Sequence, residues 1–264
     1  MPEIDRNGVR IHFEDVGSGP PVVLGHSFLC SGEMWGPQVE PLAERYRVVN
    51  IDERGHGRSG NLTEPFDLYD MVADVVAVLD ALEIERAVWA GLSIGGMVAM
   101  RAAITVPDRI SGLILVDTHA GAETLYKMLK YRAMALGVKT FGTRPFLPAI
   151  SKLMFGSTTR RRNAELVKVW EERFALVDVP SIILCLGALV RRDSVLDRLR
   201  QVDAPSLVIV GDEDVSLPLP CSREIASALP NSSLVVVPES GHLSSLEQPE
   251  AVTEAMMNFL NGLD

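Results

Sequence analysis

Cysteine is scarce in this chain of 264 residues: Cys30, Cys185 and Cys221 stand far apart, odd in number, with no CxxC or Cys/His ligand spacing. That excludes a disulfide framework and offers no zinc site, so a reducing cytoplasm is the expected setting. No basic and apolar leader opens the sequence, which begins MPEIDRNGVR. No uncharged run approaches the roughly 18 residues of a membrane span, and neither export nor a membrane partner is expected. Basic charge is in deficit, the net charge being −10, which argues against nucleic acid. Repeats and low-complexity tracts are missing too. What remains is a chain with 47% hydrophobic residues, enough to bury a sizeable core as one domain with or without an insertion.

Short apolar runs recur as PVVLG (21–25), RVVNI (47–51), AVWA (87–90), LILV (113–116), LVIV (207–210) and LVVV (234–237). Each reads as a strand buried on both faces. Asp67–Leu82 places apolar residues at helical spacing behind an acidic cap and ends just before the Ala87 strand, which makes a βαβ unit. Ile4–Val16 reads as an antiparallel hairpin turning at Asn7-Gly8, and Pro249–Leu260 as a final helix. The alternation predicts an α/β fold with a mostly parallel central sheet, helices on both faces, and active groups at the carboxyl ends of the strands. Between His119 and Arg200 no strand is legible and Gly and Pro breaks divide a helical stretch. Residues 119–200 are therefore expected to form a helical cap inserted into a core of 1–118 and 201–264.

At the centre of the uncharged stretch AVWAGLSIGGMVAM, residues 87–100, Ser93 sits in Gly91-Leu92-Ser93-Ile94-Gly95, between a strand and a helical pattern. That is the context a G-x-S-x-G nucleophile elbow requires, where a sharp turn lifts the hydroxyl above the sheet and the glycines keep side chains out of the way. The Ile94 N–H, at a helix start, would face a developing oxyanion. The plainer reading is a serine capping a buried helix. A serine nucleophile needs a base, and the base an orienting acid. Gly211-Asp212-Glu213-Asp214 follows one later strand and Pro238-Glu239-Ser240-Gly241-His242 follows the next, so of five histidines only His242 falls last in the order Ser, acid, His. A surface-loop histidine is the alternative.

Together these pieces, with Gly25-His26-Ser27-Phe28, Asp52-Glu53-Arg54-Gly55-His56-Gly57-Arg58-Ser59 and Glu247-Gln248-Pro249, resemble the α/β-hydrolase family along essentially the whole chain. The elbow and the ending GHLSSLEQPE are most similar to the branch of enol-lactone hydrolases and small carboxylesterases. The resemblance implies a catalytic set of Ser93, Asp214 and His242, with Asp117 in LILVDTHA as the other position where such hydrolases carry the acid. It also implies backbone oxyanion donors at Phe28 and Ile94, no metal and no organic cofactor. Where relatives commonly carry His-Gly, this chain has His26-Ser27, adding a hydroxyl that either touches substrate or bonds its own backbone. Glu53 and Arg54 are expected to serve structure. A serine in the elbow argues against the branches that use Asp there. Ester or lactone hydrolysis is the expected reaction, with C–C bond hydrolysis or perhydrolysis by the same triad, or a ligand-binding receptor with a vestigial site, as the other readings.

The insertion carries its own charge pattern: residues 121–200 hold fifteen Lys and Arg against seven Asp and Glu, including all five lysines. A basic cap would favour a carboxylate-bearing substrate, although charge runs more often coat solvated helix faces. Its apolar residues, Leu125, Met128, Leu129, Met134, Phe146, Leu147, Met154, Phe155 and Trp170, are candidates for packing and for an adaptable acyl pocket.

Overall fold

The computed structural model describes residues 2–263. Eight strands form one sheet: β1 (Glu3–Arg6), β2 (Val9–Val16), β3 (Pro21–Gly25), β4 (Arg47–Asp52), β5 (Ala87–Leu92), β6 (Ile110–Val116), β7 (Ser206–Gly211) and β8 (Ser232–Val237), in the spatial order β1-β2-β4-β3-β5-β6-β7-β8. The β1–β2 and β2–β4 pairs are antiparallel and all others parallel. The hairpin turns where expected. Asn7 and Gly8 have φ of 54° and 79°, the pair of positive angles that a two-residue I′ turn requires.

Three helices join the first strands: α1 (Gly36–Ala43), α2 (Leu68–Ala81) and α3 (Ile94–Thr105). Asp67 caps α2 by accepting from the Tyr69 and Asp70 N–H groups, while Asp70 returns a carboxylate to the Asp67 N–H. Between β6 and β7 lie five helices and no strand: α4 (Leu125–Phe141), α5 (Leu147–Met154), α6 (Ser157–Arg162), α7 (Ala164–Leu176) and α8 (Val179–Arg191). The chain ends with α9 (Leu219–Ala228), α10 (Ser244–Glu247) and α11 (Pro249–Asn261). Among the described residues no single helix is long and apolar enough to cross a membrane.

Alternate residues of each inner strand feed opposite faces. Val23, Trp89, Leu113, Leu115 and Val208 pack with α2 and α3, whereas Val22, Leu24, Val88, Ile114, Val116 and Ile209 pack with α11 and with Trp170 and Phe174 of α7. Because β3 lies between β4 and β5, chain progression reverses there, and the crevice beyond the carboxyl ends of β3 and β5 is open for a site. The insertion is tied to the core on the far side of α3, where the buried Arg101 guanidinium bonds the Asp193 carboxylate at 2.7 Å and the Asp193 carbonyl at 2.6 Å.

Candidate active site

Ser93 occupies the tight turn between β5 and α3 with φ of 56° and ψ of −112°, a region that costs a non-glycine residue of the order of 1–3 kcal/mol. The turn is fixed from three sides: the Ser93 N–H donates to the Val116 carbonyl at 2.9 Å, the Thr118 hydroxyl donates to the Ser93 carbonyl at 2.6 Å, and the Gly95 N–H donates to the His26 carbonyl at 3.2 Å. The glycines are needed at this spacing, since a Cβ on Gly91 would stand 2.2 Å from the Gly95 carbonyl carbon and one on Gly95 2.4 Å from the Gly25 oxygen. The Ser93 side chain makes no capping bond to α3, so helix capping does not explain the residue.

Ser93 opens into a cavity of about 90 Å³ shared with Ser27, Phe28 and His242. The His242 imidazole is buried and its Nδ1–H donates to Asp214 Oδ2 at 2.8 Å. That bond puts the proton on Nδ1 and leaves Nε2 as an acceptor. Burial alone would lower the His242 pKa, but the charge and hydrogen bond of Asp214 outweigh it and hold the pKa above the ordinary 6.5. Asp214 is itself aimed by its other oxygen, which accepts from the Ser216 and Leu217 N–H groups at 2.8 and 3.0 Å.

Of the neighbouring acids, Asp212 is exposed, and Glu213 accepts from the Thr158 N–H and hydroxyl at 2.7 and 2.6 Å, joining the β7 loop to α6. Asp117 is fully buried and accepts from the Gly211 N–H at 2.8 Å and from the Ser244 hydroxyl; no hydrogen bond joins it to His242. Burial, and then the Asp214 charge, push its carboxyl well above the ordinary carboxylate range. Asp117 thus ties the β7 and His242 loops together without touching the imidazole.

Two supports were not legible as such in the sequence. Glu247 gathers the Gly241 N–H at 2.9 Å, the Leu243 N–H at 3.3 Å and the Gly156 N–H of the insertion at 2.8 Å, holding the His242 loop against α5 and α6. His26 is buried and neutral: its Nδ1–H donates to the Ser27 carbonyl at 2.8 Å while Nε2 accepts the Glu53 N–H at 2.9 Å. It thereby links the loop after β3 to the loop after β4. Arg54 forms a paired bond to Asp74, both contacts 2.6 Å, beneath these loops.

Among the described residues no hydrogen bond engages the Phe28 or Ile94 N–H, and the buried Ser27 hydroxyl has no oxygen or nitrogen partner. The rest of the cavity wall is largely apolar, from Met97 of the core and from Met134, Ile150, Met154 and Leu186 of the insertion. Of the fifteen cations of residues 121–200, Arg192 alone lines it, and Arg192 is paired with Glu123 at 3.0 Å. Leu147, Phe155 and Trp170 are buried in packing instead, while Leu125 and Leu129 are exposed. A larger cleft of about 470 Å³ lies across Leu29, between α7 and the loops after β3 and β4, and neither Ser93 nor His242 reaches it.

The sequence model of the α/β hydrolase fold matches residues 20–249. A protein of Caulobacter sp. strain K31 named "Putative carbamate hydrolase RutD" is 31% identical over 95% of this chain and 96% of its own length. A thermophilic esterase from Thermogutta terrifontis superposes with a TM-score of 0.95 at 29% identity, covering 100% of this chain and 99% of the other. The enol-lactonase from Burkholderia xenovorans LB400 superposes with a TM-score of 0.92 at 27% identity, over 98% of this chain and all of the other.

Proposed function

The chain belongs to the α/β hydrolase fold family, and from that premise we propose that it is a serine hydrolase cleaving carboxylic ester or lactone bonds of small, uncharged molecules through Ser93, His242 and Asp214. The observation that carries this reading is the imidazole of His242: Asp214 holds its Nδ1 proton at 2.8 Å, and the ring lines the same cavity as Ser93. In this reading His242 Nε2 takes the Ser93 hydroxyl proton as the oxygen attacks the carbonyl carbon. The imidazolium returns the proton to the departing alkoxide, and water repeats the sequence on the acyl-enzyme to release the acid. Asp214 fixes the tautomer and stabilises the imidazolium.

The N–H groups of Phe28 and Ile94, free of other partners, are assigned to the oxyanion, with the Ser27 hydroxyl beside them. No metal or organic cofactor enters these steps. The cap, residues 119–200, supplies the acyl wall, and a cavity of about 90 Å³ suits short acyl groups. The pairing of Arg192 with Glu123 removes the basis for selecting carboxylate-bearing substrates, so neutral esters are favoured. The related esterase and enol-lactonase structures support the reaction class. Hydrolysis of p-nitrophenyl acetate and of a neutral lactone by wild type and Ser93→Ala tests it. Turnover in wild type that falls by about a millionfold in the variant is expected. Comparable rates in both would refute it.

A further inference from the structure

Helix α4 carries an apolar face turned to solvent. Leu125, Leu129 and Leu136 are 71%, 58% and 67% exposed and recur at the four- and seven-residue spacings that share one side of a helix; Tyr126 (77%) borders the stripe, and Phe141 (71%) is exposed at the end of the helix. These are five of the ten large hydrophobic residues left exposed among the described residues. The core does not need them outside, since the opposite side of the same helix already gives Tyr131 and Met134 to the cavity wall and Val138 to the buried cluster. Patches of this kind on a soluble fold mark a surface that something covers.

The charges on the helix say what covers it. Residues 125–141 contain Lys127, Lys130, Arg132 and Lys139 and no acid, in a chain whose net charge is −10. Arg132 and Lys139 flank the leucine stripe on one side and Lys130 on the other, and among the described residues these three form no ion pair. A leucine and aromatic stripe bordered on both sides by cations is the pattern of a helix that lies in the interface of an anionic bilayer, its apolar side among the acyl chains and its basic flanks among the head groups. A second copy of this chain docking through the same face would bring Lys130, Arg132 and Lys139 against the same three cations, with no acid on either helix to meet them.

We propose that α4 docks the protein on anionic lipid surfaces, with the leucine stripe and Tyr126 inserted and Lys130, Arg132 and Lys139 on the head groups. Docked in this way, the inner side of α4 still faces the cavity, so a bound molecule and the membrane are separated by the thickness of one helix. No membrane partner is expected from the sequence, because an interfacial face becomes visible only when the fold leaves it uncovered. The inference does not depend on the chemistry assigned to Ser93.

The test is co-sedimentation of the full chain with vesicles of phosphatidylglycerol or of phosphatidylcholine, at low and high salt. Expected are binding to phosphatidylglycerol that weakens as salt rises and little binding to phosphatidylcholine. Binding should be lost in Leu129→Glu/Leu136→Glu and weakened about fivefold by each of Lys130→Gln and Arg132→Gln. All of these positions are exposed, so the variants should keep wild-type turnover of a water-soluble ester. Absence of binding to phosphatidylglycerol overturns the proposal, as does binding that survives the paired glutamate substitution. A dimer of wild type that the same substitution dissociates, without lipid binding, would assign the face to a second copy and overturn it equally.

Discussion

Replacing Asp214 by Asn changes one heavy atom, and the structure dictates how the new amide must sit. Asp214 Oδ1 accepts two backbone N–H groups, from Ser216 at 2.8 Å and Leu217 at 3.0 Å. An amide nitrogen placed there would leave both donors unpaired, at about 1–3 kcal/mol each. The oxygen therefore stays at that position and the NH₂ turns to His242. It then donates to Nδ1, where the carboxylate had accepted at 2.8 Å, and the imidazole proton is forced onto Nε2. An Nε2–H cannot receive the serine proton. The expected loss in kcat is about 10⁴-fold, on the order of 5 kcal/mol of barrier, with the fold intact.

The pH profile gives a second readout. Activity needs the neutral imidazole, so the wild-type rate should rise with pH through a His242 pKa held above 6.5 by Asp214. In Asp214→Asn that hold is gone, and the residual activity should titrate at lower pH. Stability follows the opposite slope: a raised folded-state pKa adds stability below the unfolded value that fades as pH rises through the folded one, and the variant should lack this contribution. Stopped-flow hydrolysis of p-nitrophenyl acetate from pH 5 to 9, with circular dichroism of both proteins, measures all three. A variant within tenfold of wild type, or an unmoved inflection, would refute the argument.

The other expectations follow from the cavity and its supports. Leu186→Ala enlarges the acyl wall and should move the preferred p-nitrophenyl ester to a longer chain while costing about 2–5 kcal/mol of stability; a chain-length profile and a urea titration check both, and an unchanged profile would remove Leu186 from the wall. Glu123→Gln leaves Arg192 without its counter-charge, so the ratio of kcat/KM for a carboxylate-bearing ester to that for its neutral analogue should rise about tenfold and fall again with salt; a constant ratio would mean that Arg192 does not meet substrate. Gly241→Ala puts a Cβ 2.2 Å from the Gly156 nitrogen, where the His242 loop crosses the insertion, and should cost at least about 1–3 kcal/mol together with much of the activity, measured by thermal unfolding and turnover.

Much of the frame was readable because the inner strand runs are mostly apolar and helical patterns or turn signals separate them, the long connection between β6 and β7 apart. The βαβ unit at Asp67–Leu82, the Asn7-Gly8 turn and the Ser93 elbow all rest on local rules that tertiary packing does not override. α1 has no legible helical pattern because Pro37 and Pro41 interrupt its apolar residues, although a proline is tolerated at the helix start where no N–H is needed. Three acids, Asp212, Glu213 and Asp214, follow β7 directly, and the resemblance rather than local pattern singles out Asp214. Only the backbone path turns Asp214 inward, sends Glu213 to α6 and leaves Asp212 in solvent. Glu247 and Asp117 hold loops that are distant in sequence, so their partners had no local signature. The cap charges are legible only as a number: which of them faces the cavity depends on packing, and the one that does, Arg192, is paired with Glu123.

Ser93 as the nucleophile is tested most directly by the intact mass of the protein after exposure to a p-nitrophenyl phosphonate, with the adduct mapped by peptide analysis and p-nitrophenol release followed in parallel. One phosphonyl group on Ser93, absent from Ser93→Ala and slowed by Asp214→Asn, is the predicted result. No adduct, or an adduct that persists in Ser93→Ala, would contradict it.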